Sequence, residues 1–144
     1  MDDAPLCPET GAPMRRGERR ITLDHGGLSL TFAMPGWYSD ASEEGLHTEA
    51  DMKVSNRALN RLKARSEGLL EPEDIRRIRG RLGLSQARAG VLIGGGPRAF
   101  QKYEAGDLLP SRAISSALLL LDHDPEGLRV LEARPHAGAV GSAS

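Results

Sequence analysis

Leu84-Ser85-Gln86-Ala87-Arg88-Ala89-Gly90-Val91-Leu92-Ile93-Gly94-Gly95-Gly96-Pro97-Arg98-Ala99-Phe100-Gln101-Lys102-Tyr103-Glu104-Ala105-Gly106 is the stretch around which the chain is organised. It reads as two short helices meeting at a tight glycine turn, the arrangement that places a second helix in the DNA major groove. Ser85 suits the cap of the first helix, and the compact residues Ala87, Ala89, Val91 and Leu92 let that helix pack closely. Gly94-Gly95-Gly96 then stops it. Pro97 fits the first turn of the next helix, because its missing N–H costs nothing there and its φ is already helical. Arg98, Gln101 and Lys102 sit at i, i+3 and i+4 and share one face, while Phe100 and Tyr103 point elsewhere. Gly106 matches the left-handed residue that ends a helix.

That polar face has the chemistry of base reading. Arginine takes the O6/N7 edge of guanine with two hydrogen bonds, glutamine takes the N6/N7 edge of adenine, and lysine takes guanine or phosphate. Ser85 and Gln86, at the start of the first motif helix, suit phosphate. Phe100 and Tyr103 would hold the second helix in place, with the Tyr103 hydroxyl reaching toward phosphate. The expected DNA-binding set is therefore Ser85, Gln86, Pro97, Arg98, Gln101, Lys102 and Tyr103. A plain solvated helical hairpin is the alternative; the S-Q start, the glycine turn and the R-x-x-Q-K face in register favour DNA.

Charge supports the same region. Residues 1–56 hold 5 Lys/Arg against 10 Asp/Glu, residues 57–102 hold 11 against 4, and residues 103–144 hold 3 against 6. A net charge of −1 thus conceals a basic middle between acidic ends, which suits a polyanion and implies salt-sensitive binding. No apolar run approaches the ~20 residues that span a bilayer, and the M-D-D-A-P start lacks a signal pattern, so a cytoplasmic location is expected. The single cysteine, Cys7, has no partner for an internal disulfide.

The fold class expected is α+β: an N-terminal hairpin or small sheet with a helix over residues 1–67, then an all-α five-helix domain over 68–132, then a disordered tail over 133–144. Residues 1–13 read as irregular. Ile21 and Leu23, then Leu28, Leu30 and Phe32, alternate on either side of Asp24-His25-Gly26-Gly27 as a hairpin does. Pro35-Gly36 should end it, and Trp37-Tyr38 should begin a third strand. Thr48 to about Glu67 is a helix with a stripe of Val54, Ala58, Leu59 and Leu62. Its Arg57, Arg61 and Arg65 should stay solvated rather than reach DNA. Pro72 opens the next helix, with Ile75, Ile78 and Leu82 inward. After the motif, Ser111 caps a helix whose core set is Ile114, Ala117, Leu118 and Leu121. Leu119 and Leu120 leave more apolar surface than one face needs, and Leu128, Val130 and Leu131 follow on a short last helix after Pro125; the surplus suits either a dimer contact or a five-helix domain that buries it all.

The order of an N-terminal C-P-x-x pair, a hairpin, a second spaced pair, a helix and the G-G-G-x-x-A-F-x-x-Y-E-x-G segment resembles the MqsA family of antitoxins, with an Xre-like helix-turn-helix. The resemblance spans about residues 6–131. It implies an N-terminal domain that binds a partner toxin, usually an mRNA-cleaving ribonuclease. It also implies a C-terminal domain that forms a homodimer and represses the operon by binding double-stranded operator DNA. The family commonly has Asn and Arg where this chain has Arg98 and Lys102, which shifts the expected operator sequence but not the mode of binding. Which surface would take the toxin is not legible in the sequence.

The resemblance also implies a structural zinc held by two C-x-x-C pairs. Here those places carry Cys7, Thr10, Ser39 and Ser42. A hydroxyl is a poor zinc ligand beside a thiolate, so no metal and no cofactor are expected. Neither His25 nor His47 forms a spaced pair with Cys7. Hydrophobic packing by Ile21, Leu23, Leu30, Phe32, Trp37 and Tyr38 should replace the metal, or else the domain orders only with its partner. No enzyme is expected either: Cys7 has no adjacent base, Gly94–Gly96 lacks the Lys-Ser/Thr ending of a phosphate loop, and His123 between two aspartates suits a solvated helix end. Two other readings stand beside the antitoxin: a stand-alone repressor, and a protein-interaction module that has lost DNA binding.

Overall fold

The structure is a computed structural model and describes residues 4–135. Strands β1 (Arg15–His25) and β2 (Leu28–Tyr38) form a long antiparallel hairpin, with Ile21 opposite Phe32 and Leu23 opposite Leu30. Those pairs set the register, because a slip of one residue would carry the apolar row to the solvent face. The strands run further than the alternation implied. Pro35-Gly36 does not end β2; the third strand, β3, is Gly45–Leu46, and Trp37-Tyr38 belong to β2 as its partners. Pro35 lies just short of β3's reach, the kind of position that tolerates a missing ladder N–H, and His47 Nδ1 donates to its carbonyl at 2.9 Å. Of residues 1–13, expected to be irregular, the described part closes into a turn, with Cys7 N donating to Ala12 O at 2.7 Å and Met14 N to Pro5 O at 2.9 Å.

Helix α1 (Glu49–Glu67) starts at a reciprocal cap in which Asp51 N donates to Thr48 Oγ1 and Thr48 N to Asp51 Oδ2. It packs on the hairpin and buries Leu62 and Ala64. Val54, expected in its apolar stripe, is exposed. It precedes Arg57 on the row that turns toward the second half of the chain, where carboxylates rather than apolar groups receive the helix.

Five helices follow: α2 (Pro72–Arg81), α3 (Gln86–Ile93), α4 (Ala99–Ala105), α5 (Arg112–His123) and α6 (Leu128–Ala133), the last preceded by a 3-10 turn at Pro125–Gly127. Their core is aliphatic with one phenyl ring: Ile75, Ile78, Ala89, Leu92, Phe100 and Leu118 are fully buried. Ser115, on the inner face of α5, accepts the backbone N–H of Leu70 and so fixes the linker after α1. Among the described residues no helix is long and apolar enough to cross a membrane. Most of the tail expected at 133–144 lies outside the described residues, although Ala133 still belongs to α6.

Candidate nucleic-acid interface

Helices α3 and α4 are held at a fixed angle by features of the turn itself. Ser85 caps α3, its Oγ accepting from Arg88 N at 3.1 Å, and its own hydroxyl hydrogen remains available to donate. Gly90 sits where α3 meets the turn: a Cβ there would lie 1.8 Å from Gly96 O. Only a glycine admits that approach, which lets Gly96 N donate back to Gly90 O at 3.2 Å. Gly95 has φ of +97° and lies under the Tyr103 hydroxyl. Pro97 and Arg98 form a turn closed by Ala99 N to Gly96 O, so the second helix begins at Ala99 and Pro97 stands outside it, two residues earlier than expected for an in-helix proline. The three glycines let the chain turn more sharply than a helix start permits.

On α4 the two faces separate cleanly. Ala99, Phe100, Tyr103 and Glu104 are buried, while Pro97, Arg98, Gln101 and Lys102 are exposed. Among the described residues, neither Arg98, Gln101 nor Lys102 has a side-chain hydrogen bond or ion pair. Tyr103 is placed differently: its ring packs edge-to-face on Phe100 at 5.4 Å and the residue is only 5% exposed. Burial pushes its hydroxyl pKa up. It supports the helix from the core side, apart from the exposed set.

Gln86 is likewise drawn inward. Its amide donates to Glu104 Oε1 at 3.1 Å. Glu104 was not legible as a site residue, yet it anchors the motif: Arg79 on α2 grips it through Nε to Oε2 at 2.5 Å and Nη2 to Oε1 at 2.9 Å, and Arg79 Nη1 also reaches Leu84 O at 2.9 Å. Burial raises the Glu104 carboxyl, and the Arg79 and Gln86 hydrogen bonds outweigh it, holding the group below the usual range. The signal that finds Glu104 is its spacing four residues after Phe100, on the buried row of α4.

The basic middle of the sequence is mostly spent inside the molecule. Seven of its eleven basic residues, Arg57, Arg61, Arg65, Arg76, Arg77, Arg79 and Arg81, pair with carboxylates of the chain. The α1 arginines, expected to be solvated, fasten α1 to the second half: Arg57 to Asp107 at 2.7 Å, Arg61 to Glu71 and Glu73 at 2.7 and 2.6 Å, and Arg65 to Glu71 at 3.1 Å. Asn60 adds a hydrogen bond to Gly106 O at 3.0 Å, directly at the end of α4.

In the N-terminal half, Cys7, Thr10 and Ser42 come together, and Ser39, three residues before Ser42, is buried. Cys7 Sγ is 3.5 Å from Ser42 Oγ, and the Ser42 and Thr10 hydroxyls hold the thiol down to about 6. The three hydroxyls are already engaged by backbone: Ala12 N donates to Thr10, Ala41 N to Ser39 and Glu44 N to Ser42. One thiol and three such hydroxyls do not fit zinc, which takes thiolate, imidazole or carboxylate donors. Among the described residues no group of three or more His, Cys, Asp and Glu side chains could hold a metal.

Comparison with known proteins agrees with this layout. The family described as the antitoxin component of bacterial toxin-antitoxin system, MqsA, matches residues 4–132. A relative from Escherichia coli (strain K12), Antitoxin MqsA, is 40% identical over 55 residues, which are 38% of this chain and 42% of that protein. The matched segment thus spans less than half the relative's length. With a family match that runs from the first turn through the last helix, the chain belongs to the MqsA antitoxin family.

Proposed function

We propose that this chain is the antitoxin of a bacterial toxin–antitoxin pair. It binds operator DNA through α4 as a homodimer, represses its own operon, and neutralises a ribonuclease toxin through its N-terminal half. The observation that carries the DNA part is the exposed row Arg98, Gln101 and Lys102 on a helix whose opposite face is locked in the core. Side chains without internal partners are free to reach base edges, and the helix locked behind them fixes where they start. Ser85, with a spare hydroxyl hydrogen at the start of α3, contacts phosphate, and Pro97 shapes the approach of Arg98. Family membership supports the toxin partner, the repressor role and a cytoplasmic site of action. Leu120 and Val130, both 71% exposed, flank an apolar cleft of about 440 Å³ between α5 and α6, which supports a dimer contact there.

The test is fluorescence anisotropy of the full chain on labelled DNA from its own upstream region and on a scrambled duplex, across salt concentrations. Operator-selective, salt-sensitive binding is expected, with Arg98→Ala costing ~1–3 kcal/mol at one base position and relaxing specificity there. Equal affinity for both duplexes by the parent chain would remove the repressor reading.

A further inference from the structure

The N-terminal half presents a contradiction: it keeps the layout that its family ties with zinc, and lacks the donors for zinc. Something else must join the first turn, the segment Ser39–Ser42 and the hairpin. The first turn is closed by its own backbone, with Cys7 N on Ala12 O at 2.7 Å and Gly11 N on Cys7 O at 2.8 Å. Among the described residues its hydrogen bond to Ser42 is the thiol–hydroxyl contact at 3.5 Å, a weak link because a thiol is a weak donor and acceptor.

Arg19 sits at the centre of what remains. It projects from β1, its Nη2 donates to Ser39 O at 2.7 Å and reaches Ser42 O at 3.5 Å, and its guanidinium lies 4.4 Å from the centre of the Tyr38 ring. One cation therefore gathers both carbonyls of the Ser39–Ser42 segment and the end of β2. Hydrogen bonds from a charged donor are about twice as strong as neutral ones, and the ring face adds a cation–π contribution. Ser39 itself is buried, so its carbonyl would be left without a partner if the guanidinium were removed.

We infer that the N-terminal half of this chain orders without a metal, and that the Arg19 guanidinium supplies the cross-link between β1 and the Ser39–Ser42 segment that a zinc ion supplies elsewhere in the family. The inference does not rest on DNA binding, and it revises the expectation that apolar packing alone takes the metal's place. Arg16, three residues earlier on β1, adds a second tie through a bidentate pair with the buried Asp51 at the start of α1. The chain thereby exchanges a metal-dependent fold for one that depends on two arginines.

The chain's single tryptophan, Trp37 on β2, reports on this half alone. Full-length protein made in zinc-supplemented medium is assayed for bound metal by mass spectrometry, and its Trp37-monitored melt is recorded with and without a strong chelator. No stoichiometric zinc and an unchanged midpoint are expected. Arg19→Met should lower the Trp37 midpoint by several degrees or abolish the transition, Arg19→Lys should regain part of the loss, and Arg20→Met should leave it in place. One tightly held zinc per chain, with a midpoint that drops in chelator, would overturn the metal-free fold. An Arg19→Met midpoint equal to the parent's, or no recovery with Arg19→Lys, would overturn the role of Arg19.

Discussion

Arg79 on α2 and Glu104 on α4 form a two-pronged ion pair at 2.5 and 2.9 Å in which the carboxylate is 2% exposed and the guanidinium 20%. The pair ties α2 to the buried side of α4, so the angle of α4 depends on a contact away from its exposed face. Breaking one side of a buried pair leaves an uncompensated charge.

Glu104→Ala is therefore expected to destabilise the second half by about 3–5 kcal/mol, measured by chemical denaturation followed by circular dichroism. Glu104→Gln keeps the shape and hydrogen-bonding capacity of the side chain and should cost less. A Glu104→Ala midpoint within error of the parent's would show that the pair contributes nothing.

Gly90 is expected to tolerate no side chain. An alanine Cβ would fall 1.8 Å from Gly96 O, and both partners are backbone, so the turn must open. Gly90→Ala should cost about 3 kcal/mol or more and abolish operator binding together with the native fold of the motif. Retention of the parent's melting midpoint would contradict the close approach.

The clasp between α1 and the second half should be acid-labile. Glu73 is held down to about 2 first by its hydrogen bonds from Arg61, and Asp107 is lowered by Arg57. A carboxyl lowered in the folded state contributes stability that is complete above its ordinary value near 4 and is lost as pH falls toward the folded value. Thermal midpoints should decline between about pH 4 and pH 2, and Arg61→Met should shallow that decline. An identical pH profile for Arg61→Met would show that the pair with Glu73 is not linked to folding.

Leu120 is the residue on which the dimer should turn. It is 71% exposed on α5 beside the apolar cleft, so Leu120→Glu leaves the monomer's core untouched while placing a charge at the contact. Sedimentation is expected to show the parent as a dimer and Leu120→Glu as a monomer. A monomeric parent at micromolar concentration would move the dimer elsewhere or remove it.

The two short helices around the glycine turn were legible because their signals are local. Ser85 as a cap, the glycine run, the apolar period of α2 and α5 and the polar row of α4 are properties of neighbours three or four residues apart, and they recur in the structure. What was not legible involves residues brought together from a distance. Arg79 and Glu104 are both charged residues that sequence patterning assigns to solvent, and only the packing of α2 against α4 makes them a buried pair. Gly90 looks like a tolerated helical glycine until the turn folds back onto it.

By itself, then, the sequence determined the number and order of the helices, the existence of the hairpin before them and the polar face of α4, since each follows from side-chain chemistry at short spacing. Tertiary structure alone decided where the charges go. Coulomb energy and desolvation depend on distances between residues as far apart in the chain as Arg57 and Asp107, or Arg19 and Ser39, and no local pattern encodes those distances. A basic segment that looked free for DNA is thereby mostly committed to ion pairs within the chain, while Arg98, Gln101 and Lys102 stay exposed on α4.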